Sequence, residues 1–270
     1  MAAGGLLAAG LAPVPLCAQE KEFFLFVGLR GGLDGLTAMP PVGDPGYGSM
    51  RQELALAVEE VLPLDGFFGL HPSLARLHQS FKAGEAVLHH ATGLPGQETQ
   101  SHFLAWRNLR EAAGAALPMQ NVHADDFENA MAALAQGWRR GHMPSACGMA
   151  FCGWDMHAGQ GAVDGLLAQR LSVLDRGLWR LRQALSPALW RRTRIVVASE
   201  FGRQVAGNAA GGTEHGGGGV AFVLGGGVEG GAVRADWPGL EAGQLQSGGI
   251  RVTGDIRLLF SQARRGFTGA

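Results

Sequence analysis

Asp34, Ser101, Asp155, His157, Glu200 and His215 are residues whose types and placement suit one kind of chemistry. Carboxylates and imidazoles contributed by several loops are what a divalent metal site needs. Two metals held about 3.5–4 Å apart clamp both oxygens of an in-line displacement at phosphorus or sulfur. A serine hydroxyl touching such metals loses its proton more readily and becomes a nucleophile. Arg203 adds a fork of donors that fits a tetrahedral anion. No single motif here is specific, because D-x-H is short and recurs by chance. The specificity lies in the order and placement of the set.

Each residue also has a plainer reading. Asp34, in GGLDGL, suits a tight turn. Ser101 suits a helix N-cap about as well as it suits a nucleophile. His157 reads equally as a surface histidine, and Glu200 could pair with Arg203 as an ordinary salt bridge. His215 is harder to dismiss, since a glycine-rich loop gains nothing structural from one imidazole. His102 suits either anion binding or packing on its helix. Of His89 and His90, adjacent on a strand, one is expected to face the core and the other the site or solvent. His71, His78, His123 and His142 are expected to be structural or at the surface.

The positioning elements follow from periodicity. Short apolar runs at 22–29, 86–93, 146–154, 193–199 and 219–227 read as buried strands. Helical spacing appears at 71–84, 101–116, 127–141 and 165–187, and weakly at 49–60. Strands alternating with helices predict an α/β fold with a mainly parallel sheet flanked by helices. Ligands in such sheets bind beyond the carboxyl ends of the strands. Asp34, Ser101, the Asp155/His157 pair and Glu200 each follow a different predicted strand, so one sheet edge should collect them.

Composition limits the partners. With 270 residues, 46% hydrophobic and a formal net charge of −1, the chain can bury a large core and has no basic run. Nucleic acid and acidic membrane surfaces are therefore not expected partners. The 44 glycines gather at loops without a period, which excludes collagen-like repeats. Cys17, Cys147 and Cys152 form no disulfide framework. Cys147 and Cys152 fall on opposite faces of one strand and are expected to be free, buried thiols. Residues 1–19 read as an apolar signal or N-terminal tail, with Ala18 a plausible last residue before cleavage, and 20–270 as one domain. No other run approaches a membrane span, so no integral membrane segment is expected in the mature chain.

The stretches FLFVGLRGGLDGLTAMPP (24–41), FGLHPSLARL (68–77), QSHFLAW (100–106), GWDMHAGQ (153–160), SEFGRQVAGNAAGGTEHGGGG (199–219) and FVLGGGVEGGAVRADWPGL (222–240) carry a family resemblance. In that order they resemble the usually exported domain-of-unknown-function 1501 family of the alkaline phosphatase and sulfatase superfamily. The resemblance implies an alkaline-phosphatase-like core, shortened between the SHF helix and the D-x-H strand. It implies Ser101 as nucleophile and Asp34, Asp155, His157, Glu200 and His215 as ligands of zinc, calcium or a similar divalent ion. Phe201 stands where the superfamily has a histidine, and GTEHGGGG replaces the family's common GTDHGHG. Twin-arginine export is common in the family, which implies a periplasmic location, although this N-terminus lacks the arginines. The expected activity is hydrolysis of a small-molecule or glycan phosphate or sulfate ester. The alternatives are an exported binding or structural protein that keeps the fold without turnover, and a metal-binding scaffold acting on carbohydrate or sulfated glycans.

Overall fold

In the computed structural model, residues 21–96 and 101–265 are described; the expected N-terminal tail lies outside them. In chain order the main elements are β1 (Phe23–Arg30), α1 (Ala75–Lys82), β2 (Ala86–Gly93), α2 (His102–Gly114), β3 (Met119–Val122), α3 (Ala124–Arg140) and β4 (Ala146–Cys152). They continue with α4 (Leu166–Ala184), β5 (Thr193–Ala198), β6 (Gly219–Leu224), β7 (Ala232–Arg234), β8 (Gly254–Asp255) and α5 (Ile256–Ala263).

β1 is buried at every position except Arg30. Its alternation sends Phe23, Leu25, Val27 and Leu29 to one face and Phe24 and Phe26 to the other. A strand apolar on both faces needs cover on both, which places it centrally in a helix-flanked sheet. The sheet order is β7–β2–β6–β5–β1–β4–β3, with β8 alongside β2. Every pairing is parallel except those of β6, which runs antiparallel to β5 and β2. One face packs on α1, α3 and α4 through residues such as Phe81, Phe127, Met131 and Leu171. The other packs on α2 and α5 through Leu109, Ala113, Leu259 and Phe260. Truncating one of these large core side chains to alanine costs about 2–5 kcal/mol.

The expected mainly parallel α/β architecture is therefore present, and its boundaries show where local pattern falls short. α3 begins at Ala124, before the apolar period starts, because Asp125 and Asp126 in its first turn and Arg139 and Arg140 in its last complement the helix dipole. The 49–60 stretch yields only one helical turn, Tyr47–Arg51, and two 3-10 turns. β3 buries only Val122, its other residues being half-buried or exposed, and it lacks the apolar run by which strands are read. Cys147 is buried but Cys152 is only half-buried, and both are free. His90 is the core member of its pair, stacked on Phe68 and edge-on to Trp237. Among the described residues, no helix is long and apolar enough to cross a membrane.

Candidate metal centre

β1, β4 and β5 run parallel and in register, so Arg30 sits beside Cys152 and Gly28 beside Ala198. Their following loops leave one sheet edge together. Gly31 permits the β1 loop to pass under Asp155: its φ is +125°, and a Cβ there would lie 2.3 Å from the Asp155 nitrogen. The glycine-rich loop returns in the same direction. A two-residue ladder pairs Gly202–Arg203 with His215–Gly216. Gly212 passes so close to His157 that a Cβ would meet its carbonyl carbon at 2.3 Å.

The result is a convergence of basic atoms. His157 Nε2 lies 2.9 Å from Asp155 Oδ1. It lies 3.1 Å from His215 Nε2, which is itself 3.3 Å from the same Asp155 oxygen. The other face of His157 is set by Glu214, whose Oε2 is 2.9 Å from Nδ1. With Nδ1–H donating to Glu214, the Nε2 lone pair of His157 faces Asp155 Oδ1 and His215 Nε2, so either a proton on His215 Nε2 or a cation lies among these atoms. Ligands about 2.0–2.2 Å from one tetrahedral zinc stand about 3.3–3.5 Å apart, close to these separations.

A third imidazole completes the group. His102, at the start of α2, directs Nδ1 to Glu200 Oε1 at 3.0 Å and Nε2 toward Asp155 Oδ2 at 3.3 Å. The second contact is not aligned as a hydrogen bond, and this buried nitrogen has no hydrogen-bond partner. Nitrogen and oxygen atoms of His102, Asp155 and His215 all lie within 4.8 Å of one another. Phe201 packs against the His102 and His215 rings at 4.9 and 4.6 Å.

Electrostatics separate the members. The hydrogen bond to Glu200 holds His102 above the usual imidazole range. Burial pushes His215 below it, outweighing the bond to Asp155. Burial alone would raise Asp155, but Arg203 and the nearby imidazoles bring it below the usual carboxylate range. Glu214 is lowered chiefly by the Asn208 amide, which donates to its Oε1 at 2.7 Å.

Arg203 is buried and extensively bonded. Its Nε donates to Gly32 O at 2.9 Å and Nη1 to Thr213 O at 2.8 Å. Nη2 donates to the carbonyls of Gly31 and Trp154 and to Asp155 Oδ1. The guanidinium thus ties the β1, β4 and glycine-rich loops together and fixes Asp155. Glu200 makes its bonds elsewhere, accepting from Gly31 N at 2.8 Å and contacting His102.

Ser101 and Asp34 make their hydrogen bonds outside this group of contacts. Ser101 caps α2, its Oγ accepting from Leu104 N at 3.3 Å, directly before His102. Asp34 is sealed in a polar network. It pairs with the buried Arg51 and accepts from Gln160 Nε2 at 2.6 Å, Thr37 Oγ1 at 2.9 Å and Leu36 N at 3.1 Å. Burial works to raise its carboxyl, but Arg51 and the Gln160 and Thr37 bonds leave it below the ordinary range. Gln160 carries the network onward, its Oε1 accepting from Thr213 Oγ1 at 2.9 Å, two residues before His215.

Sequence reasoning gave His102 no ligand role and passed over Glu214, Gln160, Thr213 and Arg51. The SHF triplet and the Glu214–His215 neighbours carried some signal. Arg51 carried none, because it lies in a weakly patterned stretch far in sequence from its partners.

A family model described as "Protein of unknown function (DUF1501)" matches residues 147–248. That span holds Asp155, His157, Glu200 and His215 but neither Asp34 nor Ser101. No curated protein matches the chain. Among the solved structures that align with it at low identity are two sharing about a tenth of its residues. A crystal structure of Ps i-CgsB in complex with k-i-k-neocarrahexaose aligns at 10% identity and a TM-score of 0.33, covering 93% of this chain and 73% of the other. The lipoteichoic acid synthase LtaP from Listeria monocytogenes aligns at 9% identity and a TM-score of 0.31, covering 89% and 76%.

Proposed function

We propose that this chain is a metal-dependent hydrolase of phosphate or sulfate esters, with a cation held by Asp155, His157 and His215. The observation that carries this is the mutual approach of Asp155 Oδ1, His157 Nε2 and His215 Nε2 at 2.9–3.3 Å. Two imidazoles and a carboxylate with an open fourth position suit zinc or a similar transition metal. The imidazoles count against calcium, which prefers oxygen. When bound, the metal supplies Lewis acidity and eases deprotonation of a nearby hydroxyl.

The chain's own residues have distinct parts in this reading. Glu214 holds His157 in the tautomer that presents Nε2, and Arg203 holds Asp155. Glu200 orients His102 on the far side of Asp155. Asp34 acts at one remove, through Gln160 and Thr213, on the loop that bears His215. Ser101 is the proposed nucleophile. Its Oγ forms the new bond to phosphorus or sulfur, the ester oxygen leaves with a proton, and water then frees the anion and restores the serine. The substrate is a small-molecule or glycan ester. Export to the periplasm belongs to the same proposal, and an intact N-terminus on the native protein would count against it.

Elemental analysis and aryl-ester turnover test the reading together. One transition metal per chain is expected, with hydrolysis of aryl phosphate or aryl sulfate lost in Ser101→Ala while metal content holds. No metal taken up from solution sinks the hydrolase. Unchanged turnover in Ser101→Ala removes the serine from its role. A second reading, a metal-holding or binding protein without turnover, is favoured by the burial of Asp34 against Arg51 and by the backbone partners of Arg203.

A further inference from the structure

A cavity of about 270 Å³ opens on the other edge of the sheet, where β2 and β5 begin. It lies under α5, on the face that α2 and α5 share. Val87, Val223, Leu259 and Ala263 form an apolar floor and side wall. Arg194, Arg234, His89, Gln262 and Glu229 supply the polar lining. Arg234 and His89 are cross-strand neighbours on β7 and β2. Neither side chain has a hydrogen-bond or ion-pair partner among the described residues. Burial and the nearby Arg234 charge push the His89 imidazole down to about 4, so it is neutral at pH 7 and offers one N–H.

Arg194 is anchored differently. Its guanidinium donates to the carbonyls of Arg191, Thr193 and Gly227 at 3.1, 3.1 and 2.7 Å. Those bonds fix its position without neutralising its charge. Two guanidiniums face one carboxylate, Glu229, so the lining carries one net positive charge. Arg234 is exposed at the rim and keeps an open guanidinium fork, and the half-buried Arg194 adds its charge behind it, a pairing that suits an anion at the cavity mouth. The single excess charge and the apolar floor both select among anions. A dianion would meet Glu229 without a second compensating charge.

We propose that this cavity binds a small organic monoanion, a carboxylate on an apolar body the size of one ring or a short alkyl chain. Arg234 and His89 take the carboxylate, Arg194 supplies the field, and Val87, Val223, Leu259 and Ala263 take the body. The site is separate from the metal centre, since β5 runs from Arg194 at the cavity to Ala198 at the other sheet edge.

Benzoate, titrated calorimetrically into the full chain, is the probe. Saturable binding is expected, at least about tenfold weaker in Arg234→Gln and about tenfold weaker for uncharged benzamide. Ala263→Phe, which fills the floor, should abolish it. Asp155→Asn, which disables the metal centre, should leave it unchanged. A melting curve on each variant confirms folding, and Arg234→Gln at the cavity rim carries the test if Ala263→Phe fails to fold. Absence of saturable binding, equal affinity in Arg234→Gln, or loss of binding in Asp155→Asn overturns the proposal. Inorganic phosphate binding as tightly as benzoate overturns the monoanion assignment.

Discussion

Two polar clusters in this molecule use similar residue types in different environments. The Asp34 network and the Asp155 cluster each set a carboxylate against nitrogen donors. In the first, a guanidinium, an amide, a hydroxyl and a backbone N–H each donate to the carboxylate, all of it buried. In the second, an open aspartate is shared by three imidazoles and one guanidinium. In the first cluster the carboxylate meets four donor groups and is closed off from solvent, with Arg51 Nε the one nitrogen of that guanidinium left without a partner among the described residues. In the second, two imidazole nitrogens approach one exposed carboxylate oxygen and a buried imidazole nitrogen, His102 Nε2, has no hydrogen-bond partner, a donor set that suits a cation. Burial of the carboxylate, more than residue type, separates the sealed network from the candidate site here.

Arg51→Met should show the largest effect. It leaves Asp34 charged, buried and without its counterion, which costs about 3–5 kcal/mol. Urea unfolding measures the loss. The Arg51→Met/Asp34→Leu double variant should recover most of it, because an apolar pair asks for no desolvation. A single variant as stable as the wild type would show that the first cluster is not sealed.

Asp155→Asn should divide the clusters from the other side. The stability loss should be smaller than in Arg51→Met, since Asp155 is solvent-exposed and asparagine keeps an oxygen that can accept from the buried Arg203. Zinc affinity, measured by competition with a chelator, should fall by more than about 100-fold. If Arg51→Met lowers zinc affinity as much as Asp155→Asn, the two regions act as one site.

Acid sharpens the contrast. The Asp34 carboxyl is lowered on folding, so its contribution to stability is complete above the unfolded value of 3.8 and is lost as pH falls through the lower folded value. Stability followed from pH 5 to pH 2 should fall less steeply in the Arg51→Met/Asp34→Leu variant. The two curves should run parallel above pH 5. Equal slopes below pH 4 would deny the pair its role.

The smallest effect tests the link between the clusters. Thr213→Val removes the bond to Gln160, worth about 1 kcal/mol. It should also weaken zinc binding by up to about tenfold, because the loop bearing His215 loses its tie. Thr213→Ser should restore both. Lost stability with unaltered zinc affinity would mean that the network holds the fold and not the site.

Much of the scaffold was legible in the sequence. Five buried strands and the helix starting at Ser101 follow from apolar runs and a capping residue, both of which are local signals. β3 and the antiparallel direction of β6 were not legible. The first lacks an apolar pattern, and strand direction depends on how connections cross the sheet. The Asp155–His157 and His215 stretches could be marked as ligand material from their types and their strand-end positions. The partners of Arg203 could not, because Gly31, Trp154 and Thr213 meet it only after three loops converge.

Residue type and periodicity by themselves determined that this chain buries a mainly parallel sheet and gathers carboxylates and imidazoles beyond its strand ends. Period and strand-end position are written within ten or so residues, where local sterics and side-chain alternation act. Tertiary structure alone decided which of those groups stay open. It placed Arg51 against Asp34 and His102 against Asp155, contacts between residues 17 and 53 positions apart in the chain. Burial and counterions set the charge state and freedom of each group, and both exist only once distant segments pack.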